Sequence, residues 1–175
     1  MFLWIGCKLP ESFSSELRAH CCRAEHFQQL DTSGFTLPQH VSLKISFETD
    51  RPDEIIRYIS QLLSGQQPFH IRPLSVSREG NILWISFEPD TPLKDLHALL
   101  DQKLLQNFGI PQHPFDRNFL FHSTVFMGAP ELLEQTKLHF DRFPLPEQLP
   151  IDTFLIGISE TGKSGTYRVI RNIKV

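Results

Sequence analysis

The chain has 175 residues, 40% of them apolar, and a net charge of −3 at neutral pH. That length can bury a real core, and that composition excludes a disordered chain. The negative balance argues against broad electrostatic binding along a nucleic-acid backbone, while leaving room for a basic patch around a small site. Three cysteines, Cys7, Cys21 and Cys22, are an odd number with two adjacent. They do not read as a disulfide framework, and a reducing cytoplasm suits them.

Phe2 to Lys8 reads as a short apolar strand, with neither the length of a membrane span nor the basic flank of a signal peptide. Pro10 suits the first turn of a helix. Phe13, Leu17, Cys21 and Ala24 then follow at helical spacing to about Gln28. Ser33-Gly34 breaks that pattern. Gln39 to Phe47 alternates cleanly, with Val41, Leu43, Ile45 and Phe47 on one face and His40, Ser42, Lys44 and Ser46 on the other. Asp50 or Asp53 opens the next helix, buried through Ile55, Ile56, Ile59, Leu62 and Leu63 and ended by Ser64-Gly65. Strands over 69–77 and 81–88 form a hairpin around Glu79-Gly80.

Thr91-Pro92 starts a second long helix with Leu93, Leu96, Leu100, Leu104 and Phe108 inward, and Gly109 stops it. After a loop over 111–118, Phe121 to Phe126 is a strand. Pro130 opens a helix carrying Leu132, Leu133 and Phe140. A loop over 144–150 leads to closing strands at 151–159 and 166–175, joined by a turn holding Gly162 and Gly165.

The order is β, then α-β-α-β-β twice. His40 and Ser42 return 82 residues later as His122 and Thr124, again on one face of one strand. The same offset carries Pro10 to Pro92 and Gly80 to Gly162. Repetition in phase predicts an internal duplication. The expected fold is α+β: one bilobal domain over residues 1–175, with pseudo-repeats of about 9–90 and 91–175. Two antiparallel sheets would face a central groove, with helices outside.

A neutral imidazole takes a proton and a protonated one gives it near physiological pH, each role being worth roughly 10² to 10⁴ in rate. Two His/hydroxyl pairs on opposing strands suit a tetrahedral anion such as phosphate, and that chemistry needs no metal. At these residues the sequence resembles the two-histidine phosphoesterase superfamily, which includes the 2′-5′ RNA ligase-like proteins and cyclic nucleotide phosphodiesterases. Its paired motifs stand here as His40-Val41-Ser42-Leu43 and His122-Ser123-Thr124-Val125. The resemblance implies a metal-independent, cofactor-free hydrolase acting on 2′,3′-cyclic phosphates or 2′-5′ phosphodiester linkages of nucleotides or RNA ends. It makes His40 and His122 the catalytic acid/base pair and gives phosphate to Ser42 and Thr124. The expected protein is cytoplasmic, monomeric and not bound to a membrane. The chain departs from the family pattern in having Ser42 where threonine is commoner and Ser123 where an apolar residue is usual. Phe121 stands where many relatives have proline, and Phe126 and Met127 where some carry arginine.

The same residues admit plainer readings. A lone strand histidine is usually structural, and only the repetition with a hydroxyl favours catalysis here. Lys44 shares His40's expected face and could reach phosphate, or it could be a solvated charge. Tyr167 could touch substrate or pack in the core. Cys22 and His26, spaced i, i+4, could share a metal, but no second ligand pair accompanies them. His97 and Asp101 at the same spacing read as a helix-surface pair. An alternative function is a non-catalytic module that keeps the groove and binds a nucleotide or RNA end.

Overall fold

The architecture follows from where two edge strands end up. The computed structural model describes residues 1–24, 27–32 and 35–175, and the side chains of all of these except Arg117. His26 and the Ser33-Gly34 break lie outside the described residues. The elements are β1 (Phe2–Lys8), α1 (Glu11–Cys21), β2 (His40–Glu48), α2 (Pro52–Ser64), β3 (Phe69–Ile71), β4 (Pro73–Glu79), β5 (Ile82–Phe87), α3 (Thr91–Phe108), β6 (His122–Met127), α4 (Pro130–Phe140), β7 (Leu149–Ile151), β8 (Thr153–Ser159) and β9 (Arg168–Lys174). Short 3-10 turns occupy Phe27–Gln29 and Pro114–Asn118.

Most boundaries follow local chemistry. Prolines stand in the first turns of α2, α3 and α4, where a missing N–H costs nothing. Asp90 caps α3 by accepting from the Leu93 N–H, and Gly109 closes it in the left-handed region at φ 69°. Helix α1 stops at Cys21, short of the expected Gln28. Its backbone bonds there tighten to the i, i+3 pattern, Arg23 N to His20 O and Ala24 N to Cys21 O.

The two expected long strands, 69–77 and 151–159, are each broken in two. The chain bends at Arg72 and at Asp152, leaving β3 and β7 as a separate two-stranded ribbon. Leu149 and Pro150, expected in a loop, belong to it. The ribbon pairs Phe69 with Ile151, which are also 82 residues apart. Each half therefore repeats the order α-β-α-β-β-β, and the halves meet at this ribbon through corresponding residues.

The larger sheets mix strands from both halves. One runs β2-β1-β8-β9 and the other β4-β5-β6, all antiparallel. Strands β2 and β6 are therefore edge strands of different sheets, and they abut one another. Helix α3 packs behind β2, α2 behind β9, and α4 behind β4 and β5. The core runs continuously between sheets and helices through Leu3, Ile5, Val41, Leu43, Ile59, Leu83, Ile85, Leu100, Val125, Phe126 and Phe140. No helix among the described residues is long and apolar enough to cross a membrane.

Strand β2 does not keep the alternation its sequence predicts. Between Leu3 and Ile5 of β1 it spends three residues, Phe47 to Lys44, and between Ile5 and Gly6 it spends two, Lys44 to Ser42. These bulges place Lys44 opposite Ile5, on the core side. Lys44 is 1% exposed, and its ammonium donates at 2.6 Å to both Asp101 Oδ1 on α3 and Asp116 Oδ2 in the 3-10 turn. The Asp116 carboxylate also accepts from the His113 N–H at 2.6 Å, and Gln112 donates to Asp101 Oδ2 at 3.0 Å. Nor are His97 and Asp101 a surface pair. His97 is buried, hydrogen-bonded through Nδ1 to Leu43 O at 2.8 Å and stacked on Phe119 at 4.3 Å. The cluster fastens the loop over 109–121 to α3 and β2.

Removing one partner of a buried ion cluster strands the others. The Lys44→Met variant should therefore lose about 3–5 kcal/mol in urea unfolding, because two carboxylates stay buried without a cation. A loss below about 1 kcal/mol, the scale of a surface pair, would show that the cluster does not pin the loop.

Candidate active site

One face of each edge strand opens onto a common cavity of about 580 Å³. His40 and Ser42 project into it from β2, and His122 from β6. Thr124 lines an adjoining cavity that shares His40, Ser46 and Tyr167 with the first. Beside each histidine strand runs a neighbour whose residues share the same face. His40 and Ser42 stand opposite Lys8 and Gly6 of β1, while His122 and Thr124 stand opposite Ser86 and Trp84 of β5. Strand β6 carries a bulge just beyond Thr124, as β2 does just beyond Ser42.

The two imidazoles are held alike. His40 Nδ1 lies 2.8 Å from Pro38 O, and His122 Nδ1 lies 2.8 Å from Leu120 O, each carbonyl two residues back along the chain. A carbonyl can only accept, so Nδ1 carries the proton in both rings and the neutral tautomer presents Nε2 as a lone pair. Each ring is covered by a tryptophan. Trp4 stacks on His40 with centroids 4.3 Å apart, and Trp84 lies over His122 at 4.8 Å. Burial pushes both histidines below their ordinary pKa. For His40 the nearby charge of a protonated His122 adds to the fall, while the bonds to Pro38 O and Leu120 O act the other way.

Two glycines make room for this stacking. A Cβ on Gly157, which pairs with Trp4 across β8, would collide with the indole Nε1. A Cβ on Gly6 would stand 2.8 Å from Val41 O and 3.3 Å from the His40 ring. The seam between the histidine strands has its own tie: Ser123 Oγ donates to Gln39 Oε1 at 2.8 Å, both side chains buried. Ser123, the departure from an apolar position, thus joins the residue after His122 to the residue before His40.

The remaining sequence candidates divide. Tyr167 lines both cavities and shares a hydrogen bond with Ser46, a second β2 hydroxyl; it also donates to Gly162 O at 3.3 Å. Lys44 borders the cavity, but its ammonium is taken up by Asp101 and Asp116 and cannot turn outward to a charged ligand without breaking that cluster. His97, Asp101 and Asp116 bring ligand atoms within 4.8 Å of one another, the spacing of a cation site, and the Lys44 ammonium already supplies the positive charge there. Cys22 is exposed and its expected partner His26 is outside the described residues; Cys7, Cys21 and Cys22 are free thiols.

Composition and alternation did not single out Trp4, Trp84, Gln39 or the wall residues Phe115, Phe119 and Leu120. The tryptophans had a signal available. They are the only two in the chain and stand 80 residues apart, close to the offset of the histidines.

The sequence profile of the 2′-5′ RNA ligase superfamily matches residues 11–161. Curated protein sequences yield no match. Among solved structures, TT0787 of Thermus thermophilus superposes with a TM-score of 0.69 at 18% identity, covering 99% of this chain and 97% of its own. A structure described as a phosphoesterase gives 0.68 at 15%, covering 99% and 98%. E. coli LigT complexed with 3′-AMP gives 0.65 at 15%, covering 99% and 97%. At these identities the superpositions establish a shared fold.

The stacking accounts for the histidine pKa only if the indole excludes water. In Gly157→Ala the displaced Trp4 should uncover the ring, and the His40 imidazole, followed by NMR titration, should rise toward its ordinary value of about 6.5. An unchanged titration would refute the tryptophan as the cause. The chain belongs to the 2′-5′ RNA ligase superfamily of two-histidine phosphoesterases.

Proposed function

We propose that residues 1–175 form one bilobal unit of duplicated halves that cleaves 2′,3′-cyclic phosphates or 2′-5′ phosphodiester linkages of nucleotides or RNA ends without a metal. The observation that carries this reading is the matched pair of Nδ1-anchored histidines, one from each half, lining one cavity with Nε2 free of any hydrogen bond among the described residues. One Nε2 takes a proton from water as the water oxygen bonds to phosphorus. The other, protonated, gives its proton to the ribose oxygen as the P–O bond breaks. A cyclic phosphate thereby becomes a monoester and both histidines exchange protonation states. In the reverse direction they exchange roles. Ser42 and Thr124 donate to the non-bridging oxygens, each on the groove face beside its histidine. The 3′-AMP in the LigT structure is a nucleoside monophosphate of the product type this reaction releases.

The test is turnover of 2′,3′-cyclic nucleotides in excess chelator. Wild type should retain its rate, while His40→Ala and His122→Ala should each lose roughly 10² or more. Loss with chelator alone would overturn the metal-free reading. Ligand binding without turnover in wild type would leave a binding module instead.

The pH profile gives a second check. The working free protein needs one histidine neutral and one protonated. Burial lowers both, so the protonated member survives only below the ordinary range. The profile of kcat/KM should therefore peak below about pH 6.5 and fall as pH rises through neutrality. A maximum well above pH 7 would contradict the burial of the two rings.

A further inference from the structure

One arm of the cavity is not used by the phosphate chemistry. It leads from His122 along the groove face of the β4–β5 hairpin. Trp84 covers His122; two residues back along β5 stands Ile82, about 7 Å away along the strand. Opposite Ile82 on β4 stands Glu79. All three line the same cavity as the histidines, as does Phe115 on the facing loop.

Strand alternation fixes where Glu79 points. Its neighbour Arg78 pairs with Leu83, which is fully buried, and reaches Glu134 on α4 at 2.8 Å, behind the sheet. Glu79 therefore projects to the opposite, groove side. Arg78 is engaged with Glu134 and Gly80 O, whereas the Glu79 carboxylate has no ion pair or hydrogen bond among the described residues. The arm is thus a flat apolar floor, Trp84 and Ile82, ending in an unpaired acceptor. On its other side Phe115 is 73% exposed, a large aromatic surface held at the cavity mouth by the turn that Asp116 anchors.

An apolar floor with an aromatic lip takes a planar, π-faced group by stacking. A carboxylate at its end accepts N–H donors and repels carbonyl oxygens. We infer that this arm is a base subsite selecting nucleobases with an amino edge, guanine foremost, over uracil, with Glu79 as the specificity-determining residue. Guanine offers adjacent N1–H and N2–H donors to the two carboxylate oxygens. Cytosine and adenine offer one amino group each. Uracil offers a single N–H between two carbonyls, which would face the carboxylate's own lone pairs. The inference rests on the phosphoesterase reading for its position beside the phosphate site, and it adds which nucleotide that site takes.

The experiment measures kcat/KM on the four nucleoside 2′,3′-cyclic phosphates for wild type, Glu79→Gln and Phe115→Ala. In parallel, calorimetry gives the affinity of wild type and Glu79→Gln for guanosine and uridine 3′-monophosphates. Wild type should favour guanosine over uridine by about tenfold or more, both in turnover and in affinity. Glu79→Gln should narrow that ratio, since an amide presents a donor as well as an acceptor. Phe115→Ala should raise KM for every base with kcat little changed. Equal use of all four bases, or a ratio unaltered by Glu79→Gln, would overturn the subsite. Turnover without base preference removes the subsite and keeps the phosphoesterase. Base-selective affinity without turnover does the reverse, and absence of both removes both.

Discussion

Two edge strands from different sheets meet without a hydrogen-bonded ladder, and the site depends on that seam. An exposed edge is usually a liability, because its unpaired N–H and C=O groups template further pairing. Here β2 and β6 each hide an edge against the other, and bulges just past Ser42 and Thr124 twist both strands out of a shared ladder. The Asp31 backbone covers part of what is left, bridging to Met127 at 2.9 and 3.2 Å. What a continuous sheet would have achieved with main-chain bonds is left to packing and to the buried Ser123–Gln39 bond. A ladder would have set the strands about 4.8 Å apart and closed the space between them. The seam keeps them adjacent yet open.

The halves reproduce each other in detail at the histidines and diverge around them. The Nδ1 bond to the carbonyl two residues back, the tryptophan lid and the following bulge occur on both sides. Yet Trp84 comes from β5, within the first half's own hairpin, while Trp4 comes from β1, which precedes the repeat. Strand β1 takes the place beside β2 that β5 takes beside β6; β8 stands beyond β1 as β4 stands beyond β5, and β9 is added on the outer edge. Trp4 is almost wholly buried and rests over Gly157, whereas Trp84 keeps part of its surface in the cavity. The two sides therefore carry chemically like groups in unlike surroundings, Trp4 buried and Trp84 half-buried at the cavity.

Local periodicity made the helices, the histidine strands and their repetition legible, because those features depend on neighbours in sequence. Gly109 at the end of α3 and the prolines opening three helices are decided within a turn of chain. What could not be read depended on partners far away. Alternation put Lys44 beside His40, and a bulge selected by the fit of β2 against β1 reversed it. Once reversed, it needed the two carboxylates that α3 and the 3-10 turn supply, and these are why Asp101 and Asp116 are buried at all. The breaks at Arg72 and Asp152 have the same character: β3 and β7 exist because each finds the other. Ser123 looked like a weakened core position only because Gln39, 84 residues away in sequence, was not known to face it.

The low proton affinity of both histidines also says how the site is charged before and after it fills. Empty, it holds two neutral rings against apolar walls, with the nearby Lys44 charge already balanced by carboxylates. An anion entering between the rings favours the charged form of either one, opposing the burial that lowered them. It cannot favour both equally, because a proton on His122 depresses His40. On the phosphoesterase reading proposed above, one proton would be drawn in with the anion while the second imidazole stayed neutral. That is the unequal pair that acid-base catalysis requires. The ligand's own charge would thus complete the division of labour between two rings that the fold builds alike.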